Sequence, residues 1–542
     1  MKIIVAEKIS PSAVAELQEP GWTVLTAEQL DGKLTEHLES ADALIVRSAV
    51  QADAKLLEHA NKLRVIGRAG VGVDNIDLEA ATHKGIAVMN TPGANAVAVA
   101  EQTLGMMLAM ARHLCRADAL MHAGKWEKKS LQGTELRAKT LGIIGLGRIG
   151  MEVARRARAF GMELVGHDPF VSVSVAKEQG IRLAGLEEVY AAADYITLHV
   201  GLTPQTTGMI NEASIAKMKK GVRLVNCARG ELVNEADLAA ALKDGRVTAA
   251  AIDVFTEEPP KNSPLLALAN VVLTPHVGGS THEAQEAVGV QIALQVREYL
   301  TKGVIQNAVN VPSISEEEYE LMQPYIALAE RMGTFLAQSG EGGVEEIVLG
   351  YGGEIAEWKT ALIRNAAVAG ALNQLAHAHE RANLVNAASI AEERGIRLAE
   401  RKKPRDSETA ATNVLRVTFK SGQQENTVAG CDQPDGLPRL LEIDGIHVEA
   451  PLEGNVIYLR NLDVPGVVGR VGTVLGQHNV NIANFSLGRA TSGQGTSAVA
   501  VVQVDGDIPE AVLGALRCIE TVVLAKAIRF GVKQEKRVEV VQ

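Results

Sequence analysis

Three side chains of complementary chemistry stand where β-rich runs give way to loops. Arg229 follows Leu224-Val225-Asn226-Cys227-Ala228, Glu258 sits in the loop 253–260, and His276 follows Val271-Val272-Leu273-Thr274-Pro275. Such strand ends are where α/β enzymes keep their ligand contacts. An arginine grips a carboxylate through a bidentate fork. A histidine can take the proton of a hydroxyl while hydride leaves the same carbon, and return it in the reverse direction. A carboxylate beside that histidine fixes its tautomer and stabilises the imidazolium. Together the set suits reversible hydride transfer at a 2-hydroxy acid. Singly, each has an ordinary reading too: Arg229 as a local ion pair, Glu258 as a solvated acid beside the equally charged Glu257, His276 as one of 13 histidines.

Hydride transfer needs an acceptor, and the chain offers a place for one. A buried-strand pattern at 140–144 runs into Gly145-Leu146-Gly147-Arg148-Ile149-Gly150, followed by a helical run at 151–160. This is the GxGxxG signature in its strand–turn–helix context. Gly145 and Gly147 allow a tight turn and the close approach of a pyrophosphate. The helix opened by Arg148, Ile149 and Gly150 then holds that pyrophosphate with its free N–H groups. The next strand, 163–167, ends at Asp168. An acid there accepts hydrogen bonds from both ribose hydroxyls and repels a 2′-phosphate, which favours NAD over NADP.

These groups need a scaffold, and the pattern predicts an α/β one. Apolar β runs at 3–6, 24–25 and 43–46 alternate with a helical run at 12–18, as in an open parallel sheet. A helix over 94–112 is apolar on most faces, which suits burial between domains or subunits. A second α/β series occupies 139–288, and a helix at 291–302 leads back toward the first. Residues 1–98 and 289–310 are thus expected to form one domain, flavodoxin-like, interrupted by a Rossmann-type dinucleotide domain at 99–288. After Asn310-Val311-Pro312-Ser313 the helix start Glu316-Glu317-Glu318 opens an α+β region, 313–454. It contains a charged stretch at 401–406 and no chemical motif. From 455 to 531 the order is βαββαβ, with a Gly/Ser turn at 491–495, as in a ferredoxin-like module.

The whole chain is consistent with several such cores. It has 542 residues, 46% hydrophobic, 22% charged and only 3% aromatic, with 51 glycines. That composition suits an aliphatic α/β enzyme rather than a disordered chain. A formal net charge of -11 gives no global attraction to nucleic acid or an anionic membrane, so an anionic substrate must find a local basic pocket. Cys115, Cys227, Cys431 and Cys518 make neither a disulfide framework nor a metal-ligand spacing, so no metal is expected and a reducing, cytoplasmic setting fits. No signal peptide or membrane-spanning run is read.

The stretch 140–281 resembles the D-2-hydroxyacid dehydrogenase family in the order and spacing of these motifs. The resemblance implies that Arg229 orients the substrate, Glu258 is the acid of the dyad and His276 is the proton donor and acceptor. It also implies that Cys227, Ala228 and Arg229 line the cofactor, and that Asp253 with His276, Val277, Gly278 and Gly279 seats the nicotinamide end. Within that family the N-terminal half is similar to the branch that oxidises D-3-phosphoglycerate, in Val46-Arg47-Ser48, in 67–75 and in Met89-Asn90-Thr91-Pro92. A phosphorylated substrate needs further cations, for which Arg47 and Arg68 are the candidates and Lys128 a weaker one. Gly70 and Val71 would offer backbone N–H groups to the carboxylate. Residues 313–454 resemble the extra domain of the long form of that branch, and Asp463-Val464-Pro465-Gly466 begins what resembles an ACT domain. The resemblance implies a small effector, L-serine, at Asn461, Asp463, Gly466 and Asn481, while the apolar helix 94–112 and the appended domains favour a homodimer or homotetramer. A glyoxylate or hydroxypyruvate reductase would share every catalytic residue, but such relatives normally stop near the end of the catalytic region. An NAD-sensing binding protein on the same fold would not need the complete Arg229, Glu258 and His276 set.

Overall fold

The computed structural model describes residues 1–340, 342–375, 381–403, 413–432, 438–490 and 497–530. The first sheet has strands β1 (Lys2–Val5), β2 (Thr23–Leu25), β3 (Ala43–Val46), β4 (Val65–Arg68) and β5 (Ala87–Met89), all parallel, in the order β2-β1-β3-β4-β5. The central β3 is buried at every residue, as expected where helices cover both faces of a parallel sheet. The second sheet has β6 (Thr140–Ile144), β7 (Glu163–His167), β8 (Arg182–Leu183), β9 (Tyr195–Leu198), β10 (Val222–Asn226), β11 (Val247–Ile252) and β12 (Val271–Leu273). These are also parallel, in the order β12-β11-β10-β9-β6-β7-β8. The order reverses between β6 and β9, and the crevice at such a switch point is where a nucleotide binds.

Two helices carry the chain between the sheets. The helix Ala96–Arg112 packs Val99, Leu104, Met107 and Met110 against Leu141, Val225 and Ala251 of the second sheet. The returning helix His282–Lys302 starts earlier than the expected 291 and contains the expected boundary at 289. Thr281 caps its start by accepting from Ala284 N. Its residues Val288, Ile292 and Val296 pack on Ile3, Ile45 and Val65 of the first sheet. Gly67 permits that approach, because a Cβ there would lie 2.8 Å from Ile292 Cγ1. The second sheet is therefore an insertion in the first domain.

Beyond Gly303 the chain returns to β5, where Val309 N donates to Val88 O and the Asn310 side chain accepts from Val88 N. The helix Glu316–Ser339 then starts in a capping box between Ser315 and Glu318. It lies against the helix Ala361–Leu375 and a six-stranded sheet. That sheet comprises β13 (Glu346–Gly352), β14 (Arg397–Lys403), β15 (Val414–Ser421), β16 (Gln424–Asp432), β17 (Pro438–Ile443) and β18 (Ile446–Pro451), in the order β14-β13-β15-β16-β17-β18. The last unit has β19 (Asn455–Leu462), β20 (Ile482–Arg489), β21 (Ser497–Val504) and β22 (Val522–Arg529), in the order β20-β21-β19-β22. Its helices Val467–Gln477 and Glu510–Arg517 cover one face. Its other face lies on the helix Glu316–Ser339, with Phe335 and Tyr458 ring centroids 5.3 Å apart, edge to face. The expected turn at 491–495 and residues 404–406 of the charged stretch lie outside the described residues. Among the described residues no helix is long and apolar enough to cross a membrane.

The helices Glu316–Ser339 and Ala361–Leu375 approach through paired glycines. A Cβ on Gly333 would lie 2.0 Å from Ala367 O, and one on Gly370 2.0 Å from Glu330 O. The neighbours in both cases are backbone and cannot swing aside. Gly370→Ala is therefore expected to destabilise the chain by roughly 1–3 kcal/mol through overpacking, despite the better helix propensity of alanine. Denaturant unfolding checks this, and an equal or more stable variant would show the packing to be looser than described.

Candidate active site

At the end of β6 the three glycines of the turn have separate reasons. Gly145 has φ +95°, and a Cβ there would lie 2.5 Å from His199 O. Gly147 precedes the helix Arg148–Ala159 and has open space on its Cβ side, the approach a pyrophosphate needs. A Cβ on Gly150 would lie 2.0 Å from Gly145 O, so only glycine lets the helix sit this close to the turn. The Arg148 side chain crosses to the first domain, where its Cδ would be 2.4 Å from a Cβ on Gly93. Asp168 accepts from Leu146 N (2.9 Å) and Phe170 N (2.8 Å), so it also fastens the glycine turn. A cleft of about 410 Å³ follows, lined among others by Ile149, Ala228, Asp253, Gly278 and Gly279. Cys227 lines it too, and burial pushes its thiol up to about 12, so it is no nucleophile.

His276 stands where this cleft meets a second cavity. Its Nδ1 is 2.7 Å from Glu258 Oε2, and Glu258 Oε1 accepts from Phe255 N at 3.0 Å. The glutamate is thereby aimed at the ring, and Nε2 is left for the substrate. His276 has φ +53°, unusual for a side-chain-bearing residue, and its N–H donates to Asp253 O at 2.7 Å. The Asp253 carboxylate accepts from Thr274 Oγ1, Val277 N and Gly278 N. Its part is thus to hold the loop that carries His276. Arg229 is positioned from behind by Asn226, whose Nδ2 donates to Arg229 O at 2.7 Å. Its Nε and Nη2 are each 3.2 Å from Asp74 Oδ2 in the opposite domain.

The second cavity, about 560 Å³, is lined among others by Arg47, Ser48, Arg68, Gly70, Glu258 and His276. Arg47 is held by Lys8 O (3.2 Å) and by Gln285. Arg68 lies against Gly70, where a Cβ would be 1.5 Å from its Nη1, and Gly70 has φ +150°, a conformation that side-chain-bearing residues rarely adopt. Its buried Nε has no hydrogen-bond partner among the described residues. Burial, then the neighbouring Arg229 cation, lowers Arg68 from its ordinary value, with Asp74 and Glu7 opposing. A partly desolvated cation with an unused donor is what an incoming anion would satisfy. Val71 lines the nucleotide cleft, and its carbonyl accepts from Asn90 Nδ2 at 2.6 Å.

One expected substrate residue is not brought here. Lys128 begins the turn Lys128–Leu131 and lines a separate cleft with Arg112, Met121 and Trp126, because the helix Leu114–His122 carries it away from the first sheet. Conversely, Asp74, Glu7, Gln285 and His199 were given no role by motif reading. His199 had a usable signal, since it too follows an apolar strand, β9. His199 is half-buried at the wall of the nucleotide cleft, with Nε2 2.9 Å from Thr197 Oγ1 and a buried Nδ1 that has no partner among the described residues. Among the described residues no group of acids, histidines and cysteines could hold a metal.

In the last unit, Asn461 is buried at the end of β19. Its Nδ2 donates to Leu462 O, while Oδ1 has no partner among the described residues. Asp463 pairs with Arg489 Nε at 3.3 Å, and Gly466, φ +88°, precedes the helix Val467–Gln477. Asn481 does not join them. Ile482 is level with Val504 and hence with Asn455, because that helix has carried the chain back to the other end of the sheet. The six residue steps of strand from Asn455 to Asn461 span about 20 Å. There Asn481 Nδ2 donates to Asp505 Oδ2 at 2.7 Å.

A glycine turn at a switch point, a histidine–carboxylate pair and an arginine across the cleft define an NAD-linked dehydrogenase of 2-hydroxy acids. Residues 104–278 match the family model described as D-isomer specific 2-hydroxyacid dehydrogenase, NAD binding domain. Residues 321–444 match the D-3-phosphoglycerate dehydrogenase intervening domain, and 455–519 the ACT domain. The chain is 42% identical over 523 residues to a D-3-phosphoglycerate dehydrogenase of Methanocaldococcus jannaschii, covering 96% of this chain and 98% of that protein. It is 40% identical to one of Archaeoglobus fulgidus, covering 93% and 95%. The solved D-lactate dehydrogenase of Aquifex aeolicus, complexed with NAD and lactic acid, superposes with a TM-score of 0.50 at 28% identity, covering 58% of this chain and 100% of that one. The chain belongs to the D-3-phosphoglycerate dehydrogenase family.

Burial lowers His199 to about 3. A histidine depressed in the fold stabilises it above the unfolded value of about 6.5, and that stability is lost as pH falls from there toward 3. Between pH 7 and pH 5 the parent is expected to lose about 2 kcal/mol more stability than His199→Gln. Denaturant unfolding at the two pH values checks this, and equal losses would refute it.

Proposed function

We propose that this chain oxidises the 2-hydroxyl of D-3-phosphoglycerate to the ketone with NAD, the first step toward L-serine. The observation that carries this reading is that His276 and Glu258 share a cavity with Arg47 and Arg68, and that His276 and Arg68 also line the adjoining cleft, where Arg229 stands. The substrate carboxylate lies against Arg229, assisted by the backbone at Gly70 and Val71. His276 Nε2 takes the hydroxyl proton, and Glu258, already on Nδ1, stabilises the imidazolium that forms. NAD, held by Gly145, Gly147 and Asp168, supplies the hydride acceptor. The phosphate meets Arg47 and Arg68, the two cations left for it.

Two finer readings accompany this. The exposed apolar side chains Leu114, Met121 and Trp126, the last 80% exposed, favour a homodimer formed through this face. Four free cysteines, two of them buried, suit a reducing cytoplasm.

The direct test is NADH formation with D-3-phosphoglycerate as sole substrate. His276→Ala is expected to lower turnover roughly 10²–10⁴-fold while NAD still binds, the loss typical of a positioned general base. Near-parent turnover would remove His276 from the mechanism.

The ACT unit is read as a serine-binding regulator. The turn at Asn461, Asp463 and Gly466 joins a buried Oδ1, without a partner among the described residues, to the Asp463 carboxylate, which an ammonium group would share with Arg489. Serine is expected to bind the intact enzyme by calorimetry and to lower its activity, and Asn461→Ala to abolish both effects. Full activity with no heat of binding at high serine would refute this regulation without touching the catalytic reading.

A further inference from the structure

We infer that Glu7 sets the substrate preference of the site by shaping the loop that presents Arg47 and Ser48. The inference rests on the reading of that cavity as a site for a phosphorylated substrate. Glu7 follows β1, and its carboxylate reaches the end of the adjacent β3. Oε1 accepts from Arg47 N (2.8 Å) and Val50 N (3.0 Å), and Oε2 from Ala49 N (3.1 Å). On the carbonyl side, Asn75 Nδ2 donates to Arg47 O (2.9 Å) and Val50 O (2.7 Å). The loop is thus pinned through N–H groups by one side chain and through C=O groups by another. The Arg47 guanidinium also leans on Lys8 O, next in sequence to Glu7. A shift of Glu7 would therefore move the backbone of Arg47 and one support of its side chain together.

Two effects of Glu7 oppose each other. Its charge is near enough to act on Arg68, and it would repel an incoming phosphate. Its geometry instead holds Arg47 ready for that phosphate. Geometry wins, because the carboxylate is committed to three amide donors, which offset its charge locally and make charge-assisted bonds. The two effects give opposite signs on neutralisation. A charge-only account has Glu7→Gln bind phosphorylated substrate better. A positioning account has it bind worse, since an amide turns an NH₂ group toward backbone N–H donors and loses at least one of the three bonds.

The test compares 3-phosphohydroxypyruvate with hydroxypyruvate as substrates for reduction by the full-length enzyme. In Glu7→Gln the KM for the phosphorylated substrate is expected to rise about tenfold, the effect of one charge-assisted hydrogen bond. Its kcat should change by less than about threefold, and the KM for hydroxypyruvate by less than about twofold. Glu7→Asp keeps the charge but shortens the reach, and is expected to show the same selective loss. It also carries the test if Glu7→Gln does not fold. Parallel losses on both substrates, an unchanged ratio, or tighter phosphorylated substrate would overturn the inference. A parent enzyme without preference for the phosphorylated substrate, with Arg47→Ala affecting both equally, would instead overturn the phosphate reading beneath it.

Discussion

One buried carboxylate supports the chemistry. Asp253, 1% exposed at the end of β11, takes the hydroxyl of Thr274 and the amides of Val277 and Gly278, while its own carbonyl takes the amide of His276. These bonds bracket His276 and hold it in the left-handed region. That conformation costs about 1–2 kcal/mol for a residue with a Cβ, whereas each hydrogen bond to a charged group contributes about 1.5–3 kcal/mol. The network outweighs the strain. What it secures is a ring whose Nδ1 lies on Glu258 and whose other edge faces the cavity.

The same ring would be useless without its counterpart across the cleft. Parallel strands all end on one side of a sheet, so two such sheets facing one crevice bring Arg47 and Arg68 from one side toward Arg229 and His276 from the other. The Asp74–Arg229 pair already spans the gap, and Arg148 spans it again beside Gly93. The three arginines make a local cationic pocket in a chain of net charge -11. Their mutual repulsion is visible in Arg68, which burial and Arg229 hold below its ordinary value.

The C-terminal half is organised around one helix. Glu316–Ser339 packs against the ACT sheet on one side and the intervening sheet on the other. Asn383 and Asn386 then tie the intervening domain to Gly85 O and His83 O of the first domain. At the linker, Asn307 O accepts from Asn90 N, whose side chain holds Val71 O. An effector at the ACT turn would have to act through these contacts.

The glycine turn, the acid after β7, the polar residues Arg229, Glu258 and His276 at their strand ends and the four-part organisation were legible in the sequence because each depends on local pattern. Strand periodicity, a turn only glycine can make and a polar residue at a strand end are decided within a few neighbours. What the linear chain could not tell was which distant residues meet. Lys128 was a weaker candidate than Arg47 for the phosphate, and within the chain a helix takes it to another cleft. Asn481 looked like a partner for Asn461, but strand register sets them at opposite ends of one sheet. Asp253, expected at the nicotinamide end, lines the nucleotide cleft and also braces the loop that carries His276. Glu7 carried no motif, and Asp74 lay in one without a role of its own, since their parts consist of hydrogen bonds to backbone and side chains 40 and 155 residues away. The sequence by itself thus determined the elements and the chemistry available at their ends. The tertiary structure alone decided which of those groups share a cavity, because that follows from sheet order, register and helix packing, which no local pattern encodes.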